Sequence, residues 1–168
     1  MTKLNKITSV LLSAIMVIGI FSIIPFAAGA ESGKSGSFEY YVLYDGTALI
    51  TKYIDNGSKT VDIPSTIDGY KVTEIGWSAF GNCTGLTSVT IPSSVTKIGS
   101  DAFGGCTGLT SVTIPSSVTE IDDWAFNGCT GLTSITIPNS VTYIGGSAFG
   151  GCIGLNNVTI PNSVTEIG

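Results

Sequence analysis

The sequence contains no histidine and no arginine. The first absence removes Ser-His-Asp and Cys-His catalytic groupings and every histidine-containing metal site. Beyond Ala30 the only cations are five lysines, set against 12 acidic residues, and from Ile98 onward there is no basic residue at all. Binding to a phosphate backbone needs Lys or Arg to displace condensed counterions, so nucleic acid is excluded as a partner. The glycines form neither a P-loop nor a dinucleotide-binding fingerprint, and the cysteines never fall in the close C-x-x-C pairs of a zinc site. No cofactor or metal is expected. An acidic exterior rich in Thr and Ser instead fits a soluble extracellular surface.

Long apolar runs are absent too, with one exception from Ile7 to Ala27. Lys3 and Lys6 precede that run, and Ala28-Gly29-Ala30 follows it as a small-residue cleavage site. The run is long enough to span a bilayer as an uncleaved anchor. Pro25 near its end, the cleavage site and the polar segment Glu31–Ser37 favour removal. Residues 1–30 are therefore expected to be a signal peptide cleaved near Ala30, with residues 31–37 as a linker. The mature protein is expected to be secreted or displayed at the cell surface.

What the sequence has in abundance is repetition. Cys83–Ile98 reads CTGLTSVTIPSSVTKI, Cys106–Ile121 reads CTGLTSVTIPSSVTEI, and Cys129–Ile144 and Cys152–Ile167 are close copies. The cysteines and the Ile-Pro pairs both recur every 23 residues. Fixed self-similarity at that period marks a solenoid, in which each turn contacts only its neighbours. In Thr110–Ile114, alternation sends Val112 and Ile114 inward and Ser111 and Thr113 outward. Pro115 ends that strand because it cannot donate a ladder hydrogen bond. Val118 and Ile121 form a second inward pair, and Ala125-Phe126 falls in a short corner expected to be a 3₁₀ turn. Phe80, Phe103, Phe126 and Phe149 should form a column, as should Leu86, Leu109, Leu132 and Leu155.

One cysteine per turn places the four thiols in a column, ~4.8 Å apart. Parallel Cα–Cβ vectors then keep the Cβ atoms beyond the separation a relaxed disulfide prefers. A buried ladder of free thiols is expected in preference to two disulfides.

Residues 38–62 are not a repeat. Two β-prone runs flank the turn signal Asp45-Gly46, and Asn56-Gly57 adds another, so a β-hairpin capping the open end of the solenoid is expected. Tyr40, Tyr41, Tyr44 and Tyr53 suit that cap, with their apolar bodies inward and hydroxyls in solvent; a carbohydrate-stacking platform is the alternative. The solenoid is assigned to residues 63–168, with a five-residue excess around Ile67–Lys71 expected to bulge from one edge.

The unit L-T-S-V-T-I-P-S-S-V-T-x-I-G-x-x-A-F-x-G-C-T-G resembles the leucine-rich repeat of the BspA type, found in bacterial surface proteins, from Ile63 to Gly168. Leu109, Val112 and Ile114 occupy its apolar slots. The resemblance implies a mainly β leucine-rich-repeat solenoid of short parallel strands and 3₁₀ corners. It also implies an exported or surface-attached protein that works by binding proteins or matrix.

Candidate binding residues are those that stacking does not demand. Ser88, Thr90, Ser111, Thr113, Ser134, Thr136, Asn157 and Thr159 should form two outward columns. Asp122, Asp123 and Trp124 stand where the other turns have Gly76-Trp77-Ser78, Gly99-Ser100-Asp101 and Gly145-Gly146-Ser147. Tyr143 replaces Lys97, Glu120 and Glu166. Trp124 reads either as a binding anchor or as packing over the corner. Asp122-Asp123 reads as a solvated corner rather than a calcium site, which needs six or more oxygens. The expected function is a non-catalytic binding or adhesion module for a protein, matrix or cell-surface ligand. The alternative is a spacer or targeting domain of a larger exported protein. No residue caps Ile160, Val164 and Ile167, which leaves a truncated chain or end-to-end pairing of copies as expectations.

Overall fold

A computed structural model describes residues 31–168; the expected signal peptide lies outside the described residues. Thirteen strands follow in chain order. The cap holds β1 (Ser32–Ser35), β2 (Phe38–Val42) and β3 (Ala48–Tyr53), and the first turn holds β4 (Thr60–Asp62), β5 (Thr66–Ile67) and β6 (Tyr70–Ile75). Later turns contribute β7 (Ser88–Thr90), β8 (Lys97–Ile98), β9 (Ser111–Thr113), β10 (Glu120–Ile121), β11 (Ser134–Thr136), β12 (Tyr143–Ile144) and β13 (Glu166–Ile167). Two sheets result. One runs β4-β7-β9-β11, and the other β1-β2-β3-β6-β8-β10-β12-β13 with β5 paired to β6. Pairing between successive turns is parallel in both solenoid sheets; it is antiparallel in the β5–β6 hairpin and in the cap, where β3 meets β2 and β2 meets β1.

The inner turns contribute equivalent side chains to the core. Leu109, Val118, Ile121, Phe126 and Cys129 are all fully buried. The phenylalanine column forms as expected, with ring centroids 4.9 Å apart for Phe80–Phe103, 5.2 Å for Phe103–Phe126 and 5.6 Å for Phe126–Phe149, all stacked. Tyr53 of the cap continues that column onto Phe80 at 5.2 Å, and this contact seals the end of the core. All four cysteines are free and buried. The thiols of Cys106, Cys129 and Cys152 each donate to the carbonyl of Phe80, Phe103 and Phe126 respectively, at 3.1 Å. Burial pushes the Cys106 thiol up to about 12, which keeps it protonated.

The corners carry the i→i−3 bonds of a 3₁₀ turn, but only on alternate residues. Ala102, Gly104 and Cys106 donate to Gly99, Asp101 and Phe103 within the turn. Between them, Asp101, Phe103 and Gly105 donate to Asp123, Ala125 and Asn127 of the next turn. φ is positive at Asp101 (55°) and at Gly105 (70°), near the two ends of the corner. The corners are therefore linked turns stitched to their neighbours rather than a continuous 3₁₀ helix.

Threonine columns add a second set of cross-links. The Thr119 hydroxyl donates to Thr96 O, and those of Thr142 and Thr165 donate to Thr119 O and Thr142 O, each at 3.3 Å. The Thr110 hydroxyl reaches Thr87 O at 3.1 Å.

The expected linker, residues 31–37, is instead built into the cap. β1 pairs with β2 in unbroken register, Gly33 opposite Tyr40. A side chain at Gly33 would strike the Tyr40 ring, so glycine there lets the ring lie against the β1 backbone. Two tyrosines of the cap also depart from expectation. The Tyr40 and Tyr53 hydroxyls are not in solvent: they donate to Asp68 Oδ2 (2.9 Å) and Asn56 Oδ1 (3.1 Å). Tyr44 lies outside the core, 95% exposed. The five-residue excess is a β5–β6 hairpin turning at Asp68-Gly69, and it grips the cap rather than simply protruding. Asp68 accepts from Tyr40 and Ser35, and the Tyr70 hydroxyl donates to Glu31 Oε2.

Three outcomes follow from this packing. Phe103→Ala should cost about 3–5 kcal/mol in denaturant unfolding, and the half-buried Phe149 should cost less when changed in the same way. Denatured, unreduced protein should titrate as four free thiols. Burial and the Asp68 carboxylate push the Tyr40 phenol from 10.0 up to about 12. Because the fold favours the protonated phenol, this stabilisation is complete below pH 10 and lost as pH rises towards 12. Protection of the β1 amides, taken relative to their intrinsic base-catalysed exchange, should fall across that window, and Tyr40→Phe should abolish that fall.

Candidate binding surface

Two outer faces and the corner between them carry the candidate residues. On the four-stranded sheet, Ser88, Ser111 and Ser134 stand in one register column, and Thr90, Thr113 and Thr136 in the next. Apart from the half-buried Ser88, all are exposed. The columns also reach back to Thr60 and Asp62 of β4, which pair with Ser88 and Thr90. That extension was recoverable from the Thr60–Ile63 run, which has the same alternation. Asn157 and Thr159 are exposed but lie outside any strand, so they do not continue the columns. Asn156-Asn157 replaces the Thr-Ser of other turns, and asparagine is a poor strand former. In that last turn Ile160 and Ile167 are 49% and 59% exposed, beside a recess of about 180 Å³.

On the longer sheet, register aligns Glu74, Lys97, Glu120, Tyr143 and Glu166 in one outward column. Lys97 Nζ contacts Glu120 Oε2 at 2.9 Å and Asp122 Oδ2 at 3.2 Å. Burial lowers the Lys97 pKa, but hydrogen bonds to Glu120 and Asp122 outweigh it and the group is held above its ordinary value. Burial also raises the Tyr143 phenol, helped by the nearby charges of Asp123, Glu166 and Asp122. Tyr143 thus stands among carboxylates at the station where the turn two rungs earlier places its lysine.

Asp123 turns inward to the backbone: its Oδ1 accepts from Gly146 N at 2.6 Å. The next residue is the unusual one. Trp124 has φ of 55°, at the station filled by Ser78 (50°), Asp101 (55°) and Ser147 (52°) in the other turns. Left-handed backbone costs an L-residue roughly 1–2 kcal/mol, and a bulky side chain is rare there. The ladder imposes it, because Trp124 N donates to Gly146 O at 3.0 Å just as Asp101 N donates to Asp123 O. The ring is 53% exposed. Trp77, one station earlier in its own turn, is 75% exposed. The substitution at residue 124 is legible in the sequence, but its backbone conformation is not.

The surface offers hydroxyls, carboxylates and exposed aromatic rings. Among the described residues no three His, Cys, Asp or Glu side chains converge as a metal-ligand group, and no helix is long and apolar enough to cross a membrane.

A family model for the BspA type leucine rich repeat region matches residues 55–168 in six copies. Among solved structures, the leucine rich repeat protein of T. pallidum is 39% identical, with a TM-score of 0.77 over 82% of this chain and 64% of that one. A leucine-rich repeat protein from Bacteroides ovatus is 35% identical, with a TM-score of 0.73 over 81% of this chain and 37% of its own. A leucine rich cell surface protein from Faecalibacterium prausnitzii is 36% identical, with a TM-score of 0.67 over 83% of this chain and 45% of its own. The chain therefore spans just under two thirds of the first of these proteins and less than half of the other two. No curated protein matches the chain. Register, stacked core and repeat match together lead to one conclusion: the chain belongs to the BspA-type leucine-rich repeat family.

Proposed function

We propose that this chain is an exported, surface-displayed module that binds a protein or matrix ligand, without chemistry of its own. Its contact surface is centred on Trp124 and includes Asp122, Asp123 and Tyr143, flanked by the Ser/Thr columns from Ser88 and Thr90 to Ser134 and Thr136. The observation that carries this reading is a tryptophan held in left-handed backbone with half its surface in solvent. Strain of that kind persists where the surrounding structure over-determines it, and it clusters at functional positions. Tryptophan is also enriched among the residues that anchor protein interfaces. Export is supported by the Lys3–Ala30 leader pattern and by the cell-surface description of the Faecalibacterium relative.

A second reading, a spacer or targeting domain of a larger exported protein, is favoured by the partial coverage of the longer relatives. It predicts that no exposed side chain of this domain matters for binding.

Trp124→Ser separates the two readings. Serine is the residue at this station in two other turns, so the substitution is compatible with the ladder. Unfolding stability should stay the same or rise by up to about 1 kcal/mol, while adhesion of the displayed domain to its ligand should fall by roughly tenfold or more. Unchanged adhesion with a loss of several kcal/mol would mean that the ring is packing and the binding proposal is wrong.

A further inference from the structure

We infer that the corner bearing Trp77 and Trp124 takes a neutral, β-linked glycan strand laid along the stack of turns. The inference rests on the proposal that Trp124 anchors a binding surface, and it names the ligand of that surface.

Both tryptophans lie on one corner. Ser78 N donates to Ser100 O at 3.1 Å, Asp101 N to Asp123 O at 2.9 Å and Trp124 N to Gly146 O at 3.0 Å. Trp77-Ser78, Ser100-Asp101, Asp123-Trp124 and Gly146-Ser147 therefore follow one another along the ladder. Trp77 and Trp124 stand two rungs apart, one residue out of line. At ~4.8 Å per rung, their stations are separated by about 10 Å. Both rings are exposed, and neither stacks on another aromatic side chain among the described residues. The rung between them carries Ser100 and Asp101, both half-buried. Asp123 Oδ1 is taken by Gly146 N, which holds that carboxylate in place and leaves Oδ2 to accept from a ligand. Gly145 and Gly146 bring no side chain to the rung beyond Trp124.

The row thus reads ring, hydroxyl and carboxylate, ring, at a spacing that the ladder fixes. A ligand that answers it is linear, with an apolar face for each ring and hydroxyls between. A pyranose supplies both. Its faces present C–H bonds to the negative face of an aromatic ring, and its edge presents hydroxyl donors to carboxylate oxygens. In a β-linked glycan the sugars form an extended ribbon, each advancing by about the height of one rung, so sugars two apart meet the two tryptophans. Charge narrows the class further. No basic residue follows Ile98, and Lys97 is engaged by Glu120 and Asp122, so a sulfated or uronic-acid glycan would be repelled. A protein partner fits less well, because interface anchors sit in packed, desolvated centres. Desolvating Ser100, Asp101 and Asp123 between two rings is costly unless each is matched.

Trp77 and Trp124 are the two tryptophans of the sequence, so tryptophan fluorescence reports this corner alone. The chain is titrated with hexasaccharides of β-linked glucose, mannose and N-acetylglucosamine, and with the coiled α-linked glucose hexasaccharide. At least one β-linked hexasaccharide should shift the emission, and the α-linked one should not. Its affinity should exceed that of the corresponding disaccharide, too short to reach both rings, by about tenfold or more. Trp77→Ser and Trp124→Ser each introduce the serine found at that station in another turn. Each should weaken binding by about tenfold without loss of stability. Binding that needs Trp124 but is indifferent to Trp77 would overturn the inference. So would silence from every β-linked hexasaccharide while Trp124→Ser still abolishes adhesion; the binding surface would then stand, with a protein as its ligand. Adhesion unchanged in Trp124→Ser would remove the binding reading, and this inference with it.

Discussion

The constraint on which the rest depends is the hydrogen bonding between successive turns. In the strands it is an ordinary parallel ladder, but it does not stop there. In the corners every second N–H still reaches the next turn, as from Asp101 to Asp123, Phe103 to Ala125 and Gly105 to Asn127. The thiols and threonine hydroxyls add further donors to carbonyls of the preceding turn. A closed turn with all these partners tolerates no change of length. The 23-residue spacing is thus a hydrogen-bonding requirement, and side-chain columns such as Phe80–Phe103–Phe126 follow from it. The first turn can be longer because its excess pairs with itself in the β5–β6 hairpin, Thr66–Ile67 against Tyr70–Lys71, while Glu74 and Ile75 of β6 stay in the ladder opposite Lys97 and Ile98.

This constraint explains which features were legible in the sequence. Columns follow directly from a fixed period, so the inward Leu, Val, Ile and Phe positions and the outward Ser and Thr could be read by counting. The free thiols were legible for the same reason: a parallel stack fixes their Cβ vectors. What counting could not reveal lies where the period is silent. Ser32–Ser35 has almost no strand propensity, and it becomes a strand because Gly33 leaves room for the Tyr40 ring. Asp68-Gly69 announces a turn but not what that turn grips. The left-handed backbone at residue 124 is invisible because three of its four station residues are ordinary polar ones. Asn157 and Thr159 failed in the other direction, since the period placed them in a column that the local Asn-Asn run does not sustain.

The same ladder separates scaffold from surface. Inward positions are fixed by contact with the turns on both sides, so they can vary little without loss of packing. Outward positions on the strands are free in side chain but not in spacing, which is why the Ser/Thr columns are flat and monotonous. The corner is free in a different way. Its backbone is fixed into a conformation that small or polar residues tolerate, and its side chain points to solvent.

Trp124 is where those demands conflict. The ladder requires positive φ there whatever the residue, and tryptophan is poorly suited to it. Neither full burial nor a stacked aromatic neighbour offsets the strain, since the ring is half exposed and the phenylalanine column runs elsewhere. Serine would satisfy the same hydrogen bond at lower cost, as it does at Ser78, whose N donates to Ser100 O. A residue that the fold accommodates without needing has to be accounted for by something outside the fold. For a repeat protein whose every turn is otherwise governed by its neighbours, that makes the corner at Trp124 a sharper guide to the binding surface than the broad, uniform faces beside it.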